Sequence, residues 1–173
     1  MMSSNKWLPL ALILLGSSLI FTLATFSIFG FPQPNPSPNP NLPQSLVNLP
    51  LSKQLTGSEA LAEFNQLHGK SLAVTSGVKG TYGEWGAITL WVAGAESAEE
   101  IQDLLVAMAE KIARGNSPFI PEKTIQHGGK TIYVLNGMEQ RHFYFQSANI
   151  LIWLAADPAI ADQALQETLN FYQ

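Results

Sequence analysis

From Trp7 to Phe31 the chain reads WLPLALILLGSSLIFTLATFSIFGF, 25 residues without a single charge. As a helix rising 1.5 Å per residue this run would measure about 37 Å, enough to cross a ~30 Å hydrocarbon core with some tilt. Pro9 falls in the first turn, where a missing N–H costs little. A cleavable signal peptide is the rival reading, with an apolar core of about 7–15 residues ending at a small-x-small site. Thr22-Leu23-Ala24 offers such a site, but the apolar run continues to Phe31 and favours a retained transmembrane anchor. Lys6 and the α-amino group precede the run, and the next Lys or Arg is Lys53. By the positive-inside rule residues 1–6 stay cytoplasmic and the remainder is exported. The expected location is the cell membrane, single-pass, with the C-terminal domain outside.

Immediately after comes FPQPNPSPNPNLPQ, in which prolines alternate with polar residues from Pro32 to Pro40 and return at Pro43. Each proline fixes its own φ and biases the residue before it toward extended backbone. Residues 32–43 are expected to form a semi-rigid spacer of about 35 Å. A PxxP ligand is the competing use, but no arginine flanks it and it falls on the exported side. The chain thus divides into 1–6, an anchor at 7–31, a Pro-rich linker at 32–51 and an exported domain at 52–173. Eight basic and thirteen acidic residues lie from Lys53 onward, an acidic balance that argues against a nucleic-acid partner. The absence of cysteine excludes disulfides, thiol catalysis, thiolate-bound zinc and a lipidated N-terminal cysteine.

Within the domain, Thr56-Gly-Ser-Glu59 has capping-box spacing, followed by Ala60, Leu61, Phe64 and Leu67 at helical intervals and a stop at Gly69. Leu72–Val78 and Ala87–Ala93 read as strands. Ser97-Ala-Glu-Glu100 is a second capping box, opening a helix with Ile101, Leu104, Leu105, Met108 and Ile112 on one stripe. Its acidic residues crowd the first turn, Lys111 and Arg114 the last, and Gly115 follows as the cap. Three strands follow at Lys130–Leu135, Arg141–Gln146 and Asn149–Ala155, with a further short strand from Ile125, in a hairpin with the first of them, as the alternative count. Asp157-Pro158 then predicts a final helix with Asp at the N-cap and Pro at N1. Short hairpin connections favour an antiparallel sheet of about five strands with helices on one face, an α+β fold of ferredoxin-like character.

GVKGTYGEWG places glycine at residues 77, 80, 83 and 86. Collagen requires that period over many triplets with proline between. Phosphate-cradling loops require a helix next, and here the strand AITLWVA follows. The stretch therefore reads as a loose connection between two strands, with Tyr82 and Trp85 as aromatics available to a sugar or a partner.

Glu139-x-x-His142 imitates a carboxylate–histidine metal motif, but in a strand positions three apart point to opposite faces. His68 sits at a helix end, and His127 has no partner at ligand spacing. No cofactor or metal is implied, and no HExxH, GxSxG or paired-carboxylate pattern points to an enzyme. Alternation carries more. If Ile88/Leu90/Val92, Ile132/Val134, Phe143/Phe145 and Ile150/Ile152/Leu154 face the helices, Trp91, Tyr133, His142, Tyr144 and Trp153 face away from them. Either loops or a second chain cover that face, or it is open and forms an aromatic binding surface. The expectation is a membrane-anchored, extracytoplasmic binding or assembly module, taking a protein partner or its own copy through this face. The alternative is a small envelope enzyme or a carbohydrate-recognising domain using Tyr82, Trp85 and the aromatic face.

Overall fold

The computed structural model describes residues 40–115 and 117–173. The expected cytoplasmic segment 1–6, the anchor 7–31 and the linker up to residue 39 lie outside the described residues. Among the described residues no helix is long and apolar enough to cross a membrane.

The described chain runs β1 (Ser45–Leu46), β2 (Leu49–Thr56), α1 (Gly57–His68), β3 (Ser76–Tyr82), β4 (Ile88–Gly94) and α2 (Ala98–Ala113). It continues through β5 (Ile120–His127), β6 (Lys130–Gly137), β7 (Gln140–Ser147), β8 (Ile150–Ala156) and α3 (Ala161–Phe171). All eight strands form one sheet in the order β1-β2-β3-β4-β8-β7-β6-β5, and every neighbouring pair is antiparallel. The meander β5-β6-β7-β8 folds back so that β8 zips onto β4, joining two halves of the sheet at its centre.

This architecture corrects the expected five-stranded, ferredoxin-like sheet with helices on one face. Helices pack on both faces. On one side α3 and residues 42–51 cover Val78, Leu90, Val92, Phe143, Phe145 and Ile152. On the other, α2 packs on Leu135, Tyr144 and Leu151, and α1 packs on Ala93 with Trp91 at its border. The strands absent from the sequence reading (β1 and β2) or offered there only from Ile125 onward (β5) are the outer ones, and each lacks the clean period-two signal of a half-buried strand. β5 is exposed along nearly its whole length, as expected of an edge with only one neighbour. Its register shifts between Pro121 and Lys123. In β2 a shift between Leu51 and Lys53 sends Leu49 and Leu51 to the α3 face but Leu55 to the α1 face. Such a bulge inserts one extra residue and breaks the alternation. Here Ser52 occupies it, its hydroxyl 2.8 Å from Gly83 O and 3.0 Å from Thr81 O.

The domain therefore starts before residue 52: Leu42 and Leu46 are core residues, and residues 42–51 are packed chain rather than linker. Helix ends follow the expected chemistry only in part. Both capping-box bonds of Ser97 and Glu100 are present, and Gly69 closes α1 in the left-handed region at φ 66°. Thr56 makes no side-chain cap, because Gly57 turns away at φ 57°. α3 begins at Ala161, one turn later than Asp157-Pro158 suggests, since the Asp157 carbonyl closes a turn with the Ile160 N–H instead.

The triplet glycines divide between strand and turn. Gly77 and Gly80 belong to β3, where period three puts them on opposite faces. A Cβ on Gly77 would sit 2.8 Å from the Phe64 ring of α1, and one on Gly80 would sit 3.0 Å from both Leu42 and Leu51. Each glycine lets another element cross the sheet closely. Gly83 and Gly86, at φ 77° and 71°, make the turn itself.

Candidate functional site

The alternation argument places side chains on the faces expected of them, but the aromatic face is not open. Trp91, Trp153, Tyr144 and Tyr133 are successive register partners on β4, β8, β7 and β6, one row across the sheet. Tyr133 and Tyr144 stack at 4.6 Å, and Tyr144 and Trp153 at 5.2 Å, with rings nearly parallel. Tyr144 is buried against α2, whereas Trp91, Tyr133 and Trp153 are half-buried. Trp91 is held to α1: its indole N–H lies 3.4 Å from Glu63 Oε1, and Lys79 Nζ lies 5.4 Å above its ring. The Lys79–Glu63 ion pair, at 2.6 Å, completes the attachment.

His142 is buried, 3% exposed, beside this stack. Its Nε2 lies 3.0 Å from Gly137 O, and its Nδ1 lies 3.1 Å from the Trp153 indole nitrogen. An indole N–H only donates and a carbonyl only accepts, so the ring is neutral with its proton on Nε2. Both nitrogens are spoken for, which leaves no lone pair for a base or a metal ligand. Burial pushes its pKa down, and the hydrogen bond to Gly137 opposes this. Phe119 rests on both rings, 4.7 Å from His142 and 4.9 Å from Trp153. The sequence reading missed Phe119 because it sits in the Ser117-Pro118-Phe119 connection, outside any periodic segment. Among the described residues no group of three or more His, Cys, Asp or Glu could hold a metal ion.

Tyr82 is not on a loop. It ends β3 on the α3 face, fully buried, and its hydroxyl donates to Pro43 O at 3.1 Å. Burial raises its pKa well above the usual phenol range. Trp85 is the opposite case, 93% exposed at the tip of the β3–β4 turn. Around it the topology assembles one end of the sheet. Tyr82, Ile88, Ala156, Arg141, Asn136 and Ile120 are register partners in a row across β3, β4, β8, β7, β6 and β5. Just beyond that row lie Trp85, the Met138-Glu139 turn and the Asp157-Pro158 turn. Met138 is 71% exposed and Ile120 70%, so this end carries three of the six exposed large apolar side chains among the described residues.

The same end is rich in carboxylates: Glu84, Glu139, Asp157 and Asp162 are all exposed. Its principal cation is already engaged. Arg141 reaches Glu122 at 2.9 Å and Asp162 at 3.0 Å, tying edge strand β5 to the start of α3. Lys123 lies 3.4 Å from the same Glu122, and Lys53 sits one register position inward on β2. Pro40, where the described chain begins, lies at the other end of the strands. There it lines a cleft of about 390 Å³ with Ser76, Gly94 and Ile150. No protein-family model, curated protein or solved structure matches the chain.

Proposed function

We propose that this chain is a membrane-tethered, extracytoplasmic binding module that holds a protein partner at the sheet end formed by Trp85, Met138 and Ile120. Trp85 carries the reading. Of the twelve described aromatic side chains it and Phe171 alone are exposed, and Trp85 is almost wholly so. A large rigid aromatic gains most when a partner desolvates it, which is why tryptophan is enriched where interfaces concentrate their energy. Neighbouring strands lie about 4.8 Å apart, so the turns bearing Trp85 and Met138 are separated by about 14 Å, within one interface patch. The surrounding carboxylates favour a partner whose contact surface is apolar and basic. A sugar site is less well supported: Tyr82, the companion aromatic that the sequence offered, is buried with its hydroxyl committed to Pro43. The membrane tether rests on the uncharged run 7–31, and the chain enters the described domain at the end away from Trp85.

A photo-crosslinking side chain placed at residue 85 of the full chain in its own membrane tests this. It is expected to give a discrete higher-mass adduct that the same group at Ser58, exposed on α1, does not. Trp85→Ala should leave thermal stability within the small range of surface substitutions. No adduct at residue 85, or the same adducts at both positions, overturns the proposal.

A further inference from the structure

Residues 117–119, which lead from α2 into β5, rest on the hydrogen-bonded pair of His142 and Trp153. Phe119 lies across the His142 and Trp153 rings, and Gly137 beneath the link has no room for a side chain. A Cβ there would meet Phe119 Cδ1 at 2.8 Å and Pro118 O at 2.9 Å. The arrangement depends on His142 being neutral, because Nδ1 must accept the proton of the Trp153 indole. Protonating Nδ1 would set two N–H groups against each other at 3.1 Å in a buried site.

Beyond the Gly137 carbonyl on Nε2, no acidic side chain among the described residues pairs with the ring to compensate the charge. Its register partners are Leu135 on β6 and Ala155 on β8. α2 brings Leu104, Leu105 and Met108 to this cluster. Of the residues flanking it on its own hairpin, Arg141 is bound to Glu122 and Asp162, and Glu139 is exposed in the turn. Tyr144, further along the face, is a phenol that burial keeps protonated.

We propose that His142 is an acid-sensitive latch: its protonation releases the Phe119 link and with it the start of edge strand β5, while the central strands stay folded. The depressed basicity of the ring sets the direction. The latch holds at and above the ordinary histidine pKa of about 6.5 and opens as pH falls below it, because the open form binds the extra proton.

Hydrogen exchange of the full chain across a pH series, corrected for the intrinsic rate at each pH, is the test. It is read together with the NMR titration of the His142 Cε1 proton. Protection of residues 117–127 should fall about tenfold per pH unit as pH drops from about 6.5 toward the lowered midpoint of His142, with protection in β4 and β8 retained. His142→Gln, whose amide offers both an acceptor and a donor and does not titrate, should keep 117–127 protected in acid. Trp153→Phe removes the opposing N–H and should move the midpoint up toward the ordinary value. Loss of protection at the same pH in wild type and His142→Gln overturns the latch. So does simultaneous loss across the whole sheet, or titration of His142 without any loss. Should His142→Gln fail to fold, an unmoved midpoint in Trp153→Phe overturns it equally.

Discussion

Single side chains decide which neighbours this sheet can accept. Gly77 is the clearest case, since the position its Cβ would occupy is 2.8 Å from the edge of the Phe64 ring. Phe64 is a buried aromatic anchor of α1 and cannot swing aside as a long aliphatic chain would. Gly77→Ala is therefore expected to destabilise the fold by about 1–3 kcal/mol, as overpacking does. Urea unfolding of Gly77→Ala, with and without Phe64→Leu to reopen space, checks this. An unchanged midpoint in the single variant would mean that α1 does not sit down on β3. At this scale much was legible: alternation alone put Trp91, Tyr133, His142, Tyr144 and Trp153 on one face, and that assignment matches the registers. What alternation cannot reveal is whether a face is covered. Phe119, which closes over His142, sits in a connection with no period to read, and Met138 and Ile120 are ordinary apolar residues until topology brings their turns to the same end as Trp85.

Elements were legible where burial imposes a pattern and illegible where it does not. β4, β6, β7 and β8 are central strands with alternating apolar residues, and the sequence places them to within a residue or two. β1, β2 and β5 lie toward the two edges, and the latter two carry prolines and bulges, features that also discourage edge-to-edge association. The proline-rich run before them invited a linker reading as far as residue 51. Yet Leu46 is fully buried and Leu42 nearly so, Tyr82 and Tyr172 bind Pro43 and Asn41 carbonyls, and the Val47 N–H donates to Glu167. Full burial of a leucine contributes about 1.5–3 kcal/mol. A chain beginning at Leu51 is thus expected to lose about 3–6 kcal/mol against one beginning at Pro40, from its two core leucines alone. Parallel urea titrations of the two chains give the answer. Identical midpoints would show that residues 40–50 are a passive tether after all.

Across the described domain as a whole, the sheet supplies two covered faces and two ends, and the ends differ. At one, the chain enters at Pro40 beside Ser76, Gly94 and Ile150. At the other stand Trp85, Met138 and Ile120 among carboxylates. Strands of seven residues separate them, about 23 Å at the usual rise. This separation gives the proposed topology its consequence: a tether joined at the Pro40 end need not compete with a partner at the Trp85 end. The orientation itself rests on charge. Lys6 precedes the uncharged run, and no other Lys or Arg appears until Lys53, so on the proposed topology the positive flank would stay in the cytoplasm and the domain would be exported. Fusion after Gln173 is well suited to testing this, because Gln173 is exposed while Tyr172 before it is buried and anchored through its hydroxyl to Asn41 O at 2.6 Å. A reporter enzyme active only outside the cytoplasm should be active there in the full chain. Moving the positive charge to the other flank, by Lys6→Gln together with Gln33→Lys, should lower that activity. Silence of the wild-type fusion, with the protein present and a cytoplasm-active reporter positive at the same site, would reverse the orientation. It would also place Trp85 on the same side as Lys6.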